Sequence, residues 1–157
     1  MSDPVAAGVQ IMTYVDKLLT DAGVASRIDL NDPGPQQRGV ATRVNTRYVS
    51  DDPFEEYSSM SAEGRALELD LYVGVKRTED GTDDDTAAKA KNIAAAIEKA
   101  LAGARGWHQL GTGRFRAERV TDVVDEFSEE LEEDVVLLMV SYSFLHRIPR
   151  GDPHTLL

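Results

Sequence analysis

A chain of 157 residues with a net charge of −11 and no cysteine can bury a core without metals or disulfides, and its length argues for one domain over residues 1–157. The missing thiols exclude disulfides, thiolate catalysis and cysteine-ligated zinc, and they fit a reducing compartment. The acid excess opposes sequence-independent binding to DNA or RNA, whose phosphates carry the same sign. The N-terminus lacks the basic and then apolar stretch of a signal peptide. The longest fully apolar run, Val135 to Val140, is far short of the roughly 18 residues of a spanning helix. The expectation is a cytosolic chain with no membrane partner.

Taken in order, the chain opens on an amphipathic helix. Asp3 is placed to cap it and Pro4 to occupy its first position. Val5, Val9, Met12, Val15 and Leu19 share one face, Ile11 and Leu18 widen it, and Gly23 ends it. Three strands follow. Val24 to Asn31 alternates up to the turn Asn31-Asp32-Pro33-Gly34-Pro35. Val40 to Ser50 puts Val44 and Tyr48 on one face, Arg43 and Arg47 on the other. Ala66 to Lys76 carries strict period two, with Leu67, Leu69, Leu71, Val73 and Val75 on one side. Such alternation belongs to a sheet with one covered face.

Between the second and third of these strands, Asp51 to Gly64 is polar but carries Phe54, Tyr57 and Met60. It reads as a long mobile loop, and those three side chains are candidate interface anchors. A charged turn, Thr78 to Asp85, leads to a second helix over Thr86 to Ala102, with Lys99 in its last turn. Its stripe of Ala90, Ile93, Ile97 and Leu101 suits close packing on a sheet. A final hairpin of Phe115–Val124 and Val135–His146 closes the chain, and residues 149–157 read as a frayed tail. The expected fold is α+β. It has a mainly antiparallel sheet of about four to five strands with two helices on one face, in the order α-β-β-β-α-β-β.

Chemistry-bearing motifs are sparse. Gly111-Thr112-Gly113 lacks the Lys-Ser/Thr of a phosphate loop and opens a strand, so it reads as a turn. There is no serine nucleophile elbow and no His-Glu-x-x-His. Acidic spacing around Gly81 does not match a calcium loop. His108, His146 and His154 are not spaced as ligands, although His108 and His146 could meet in space and support a small enzyme site. No catalytic residue, cofactor ligand or metal ligand is assigned. Trp107, Arg114 and Arg116 are further interface candidates, with Trp107 read equally as core or anchor. The acidic stretch from Asp122 to Asp134, including Glu129, Glu130, Glu132 and Glu133, reads as a solvated face or the lining of a channel.

The helix Asp85 to Leu101, the last long strand Val135-Val136-Leu137-Leu138-Met139-Val140-Ser141-Tyr142-Ser143-Phe144-Leu145-His146, and the N-terminal helix with its following strands together resemble the tail terminator, or tail completion, proteins of long-tailed bacteriophages. The resemblance spans nearly the whole chain in pattern and size. It implies a non-enzymatic homo-oligomer, a ring of about six copies, on the end of the tail tube. There it stops tube polymerisation and offers a surface to head connector proteins. It implies a place in the virion at the head-proximal end of the tail, after assembly in the host cytoplasm, and DNA that passes through without tight binding. Another head–tail neck or tail assembly component is the neighbouring expectation.

Overall fold

The computed structural model describes residues 3–24, 26–29, 42–76, 82–120, 124–128 and 135–157. Its elements are α1 (Ala7–Asp21), β1 (Ser26–Asp29), β2 (Thr42–Pro53), a short 3-10 turn (Glu55–Tyr57), β3 (Ala62–Lys76), α2 (Asp83–Ala102), β4 (Trp107–Leu110), β5 (Gly113–Arg119), β6 (Val124–Ser128) and β7 (Val135–Pro149). The strands form one sheet in the order β1-β2-β3-β7-β5-β4, and β6 also pairs with β7. Every pairing is antiparallel except β1 with β2. The α+β expectation holds. The sheet has seven strands among the described residues, more than sequence periodicity gives, because β4 and β6 are too short to show a period.

The long strands β3 and β7 hold the centre, in unbroken register from Ala62↔Pro149 to Lys76↔Val135. On one face Leu67, Leu69, Leu71 and Val73 are fully buried beside Leu138, Val140, Tyr142 and Phe144. Both helices cover that face. Ile11, Met12, Val15 and Leu19 of α1 and Ala90, Ile97 and Leu101 of α2 complete the same core. The small residues of α2 let it lie close over β3 and β7, while α1 leans on β1 and β2. Among the described residues no helix covers the opposite face. Glu68, Asp70 and Tyr72 line it beside Ser141, Ser143 and Leu145, all but Ser141 half-buried. Ser141 donates a hydrogen bond to Asp70 there at 2.5 Å.

Several boundaries differ from the sequence expectation, each for a physical reason. Helix α1 starts at Ala7, and Ala6 at its cap makes no side-chain hydrogen bond. Asp3 and Pro4 lie outside it, and the Ala7 amide instead donates to the Pro153 carbonyl at 2.8 Å. Helix α2 starts earlier than Thr86. Thr82 and Asp85 form a reciprocal capping box, Asp85 N–H to Thr82 Oγ1 at 3.1 Å and Thr82 N–H to Asp85 Oδ2 at 3.3 Å. Such a box satisfies two otherwise orphaned amides.

The expected loop over 51–64 is strand at both ends and a connection only over residues 54–61. β2 runs to Pro53 and β3 starts at Ala62, with the 3-10 turn between. Polar residues are tolerated at these strand ends because pairing with β3 and β7 satisfies their backbone. The expected strand over Phe115–Val124 ends at Arg119, and β6 resumes the pairing, so the partner on β7 steps from Tyr142 to Met139. Residues 149–157 are not frayed. Leu156 is buried, Leu157 N–H donates to the Arg147 carbonyl at 2.9 Å, and Arg114 N–H donates to the Leu157 carbonyl at 3.1 Å. Gly113 makes room for this, since a Cβ there would stand 2.5 Å from the Leu156 carbonyl oxygen. The turn at Gly111 and Thr112 joins β4 to β5 as read.

Candidate interaction sites

A buried polar cluster lies where β2, β3 and β7 pass beneath the start of α1. His146 is fully buried, and its Nε2 is 3.3 Å from Asp51 Oδ1. Its Nδ1 is 3.0 Å from the Phe144 carbonyl oxygen. The Asp51 contact is short but poorly aligned for a hydrogen bond, so both atoms lack a directional partner. Asp51 Oδ2 also faces Arg65 at 3.7 Å, and Arg65 reaches Glu63 at 3.2 Å. A Cβ on Gly8 would stand 2.9 Å from Asp51 Oδ2. This glycine thus lets the Asp51 carboxylate approach the first turn of α1, where the helix dipole favours an anion. Asp51 supplies from a distant strand the negative charge that α1 lacks in its own first turn.

The Tyr48 phenol is pushed above its ordinary value of 10.0, first by burial and then by Asp51. Burial and then Glu98 raise Tyr142 in the same direction. The fold therefore prefers both phenols neutral. This contribution is fully present below the unfolded phenol value of about 10 and is lost as pH rises through the folded values. Urea midpoints are expected to hold up to about pH 10 and to fall above it, with a smaller fall in the Tyr48→Phe, Tyr142→Phe double variant. Equal alkaline loss in parent and variant would contradict the assignment.

The β2–β3 connection carries three of the expected interface residues on a well-tied tip. Phe54 N–H donates to the Gly64 carbonyl at 2.8 Å and Ser59 N–H to the Ala62 carbonyl at 2.8 Å. Ser58 Oγ donates to the Phe54 carbonyl and accepts from Gly64 N–H at 2.9 Å. The end of β7 adds two arginines. Arg147 stacks on Tyr57 at 4.1 Å and donates to the Tyr57 carbonyl at 2.9 Å. Arg150 holds the Ser59 carbonyl at 2.6 Å and the Met60 carbonyl at 3.2 Å. Phe54 and Tyr57 are half-buried by this packing, while Met60 is 98% exposed.

The other interface candidates form a separate group on the far side of β7. Trp107, opposite Arg116 in register, is half-buried beneath the Arg114 guanidinium, 4.6 Å from the ring centroid. Arg116 pairs with Glu118 at 3.4 Å. These side chains sit on the sheet face without helices, so Trp107 belongs to neither the core nor the tip. Glu129, Glu130, Glu132 and Glu133 lie outside the described residues, as do residues 78–81 of the charged turn before α2.

His108 and His146 do not meet. Register places Phe115 between them across three strands, and His108 stacks on Phe115 at 5.2 Å with its Nε2 2.8 Å from the Leu101 carbonyl oxygen. No metal-binding group of three or more His, Asp or Glu occurs among the described residues. A groove of about 300 Å³ opens between α2 and the β5–β7 edge, lined by Lys91, Ala94, Ala95, Glu98, Arg119, Val140 and Tyr142. Glu98 and Arg119 face each other across it at 3.7 Å. Sequence reading missed this groove, the Asp51 cluster and the arginine ties, because each joins residues far apart in the chain.

No protein-family model matches this chain, and no curated protein matches it. Its fold is similar to a chain in a solved structure of the virion of a native gene transfer agent (GTA) particle. The two are 19% identical, with a TM-score of 0.54 over 89% of this chain and 93% of that one. The likeness establishes a shared fold over most of both chains.

Proposed function

We propose that this chain is a non-enzymatic assembly protein of a phage-like virion, which caps the tail tube as a ring of about six copies. The observation that supports it most is the likeness of its fold to a chain of the gene transfer agent virion. The match covers nearly all of both chains, which fits a common architecture better than a shared substructure. The sequence pattern points the same way, and so does the net charge of −11, which would let DNA pass a ring without adhering to it. In this reading the ring ends tube polymerisation and meets the head connector at the head-proximal end of the tail.

Purified protein is expected to form closed rings by electron microscopy, free at high concentration or on tail tubes. Their mass should be a multiple of 17.2 kDa. DNA should not be retained at physiological salt. A strictly monomeric protein that also fails to bind tail tubes overturns the proposal. Binding to head connector alone would instead select the neighbouring role of a neck component.

A further inference from the structure

We infer that the β2–β3 tip is a rigid knob whose Met60 docks into the groove between α2 and β7 of a second copy of this chain. The inference rests on the self-assembly reading above and names the contact that makes it. Met60 is 98% exposed at the end of the tip, so its whole side chain is open to contact from another molecule. The backbone that carries it is fixed by Arg150 and by the Ser58 and Ser59 hydrogen bonds. Docking such a tip requires little further ordering, so more of the contact energy appears as affinity.

The groove suits the knob in shape and chemistry. Its floor is Ala94, Ala95, Val140 and Tyr142, and its volume of about 300 Å³ admits one long unbranched side chain. A methionine adapts to an irregular cleft, and its sulfur interacts favourably with an aromatic ring such as Tyr142. Charge is complementary as well. Exposed Asp52, Glu55 and Glu56 lie on or beside the tip and outnumber its exposed Arg150, while Lys91 stands at the groove's rim with the Arg119–Glu98 pair. Steering between such patches raises the encounter rate and fixes the orientation.

Knob and groove lie at different places on the molecule. The tip extends past the Ala62↔Pro149 end of the sheet, whereas Tyr142 lies earlier on β7, roughly 20–25 Å away at a strand's rise per residue. One copy cannot fill its own groove from there, so knob and groove meet only between copies. Made head-to-tail and repeated with a closing rotation the contact builds a ring, whereas made reciprocally about a two-fold axis it stops at a dimer.

The test uses two variants, each at an exposed position. Met60→Asp removes the knob, and Ala95→Phe fills the groove from within. Both should melt with the parent. Sedimentation should show each weakened in self-association by at least about tenfold. Their mixture should recover one-to-one pairs, because the Ala95→Phe copy keeps an intact tip and the Met60→Asp copy an intact groove. If the parent assembles and Met60→Asp assembles equally well, the knob is wrong while the ring reading stands. If each variant is impaired but the mixture forms no pairs, knob and groove are not partners and the inference falls. A parent that is monomeric at every concentration overturns self-association in solution and the inference with it.

Discussion

Leu71→Asp should leave the chain unfolded at neutral pH, with far-ultraviolet circular dichroism lost and no cooperative thermal transition. Leu71 is fully buried and lies opposite Val140 on β7 and Thr46 on β2. It sits at the centre of the covered face, where α1 and α2 close over the sheet. A carboxylate there loses its water and gains no cation, since its neighbours are apolar or, at Thr46, an uncharged hydroxyl. An unpaired buried charge or its forced neutralisation costs several kcal/mol. Loss of the leucine's packing adds about 2–5 kcal/mol. Together these match the whole stability of an ordinary domain, about 5–15 kcal/mol. Leu145→Asp, on the face without helices, is the matched control and should remain folded. Equal melting of Leu71→Asp and the parent would mean that the two-layer core is misassigned.

Gly64→Val should lower the melting temperature by roughly 6–12 °C, as expected for a loss of about 3 kcal/mol in a domain of this size. Its φ is not in the left-handed region, so the demand is for space. A Cβ at position 64 would stand 2.6 Å from the Tyr57 carbonyl carbon, 2.7 Å from its oxygen and 2.8 Å from the Phe54 oxygen. These are backbone atoms, which cannot swing aside as a side-chain end can. The same carbonyl of Tyr57 receives Arg147, and Gly64 itself bonds Phe54 and Ser58. A branched side chain would therefore pry the 3-10 turn from β3 and release the tip. Self-association should weaken along with stability, whereas Met60→Asp weakens association alone. A Gly64→Val protein that melts within a degree of the parent would show that the tip can shift freely, and the argument for its rigidity would fail.

What the sequence determined by itself is the part of the fold that repeats locally. Period two from Leu67 to Val75, the stripe of α1 and the small-residue stripe of α2 each reflect burial against one neighbouring layer, and burial leaves its period in the sequence. The glycine turn at 111–113 was legible for a similar reason, because its geometry is set by adjacent residues. Pairing partners leave no such trace. Arg150 holds the Ser59 carbonyl from 91 positions away, and His146 finds Asp51 only because β2 and β7 flank β3. The first turn of α1 draws its anion from β2 and one amide's acceptor from Pro153, so reading Asp3 as its cap could not succeed. The tail looked frayed for want of an apolar pattern, yet backbone hydrogen bonds at Arg150, Pro153 and Leu157 and one buried leucine dock it. Composition made residues 51–64 look like a loop. Only the tertiary structure decided that both ends of this stretch are strand, since Asp51 to Pro53 pairs with β3 and residues 62–64 pair with β7, and polar residues in a strand satisfy their backbone by pairing across it.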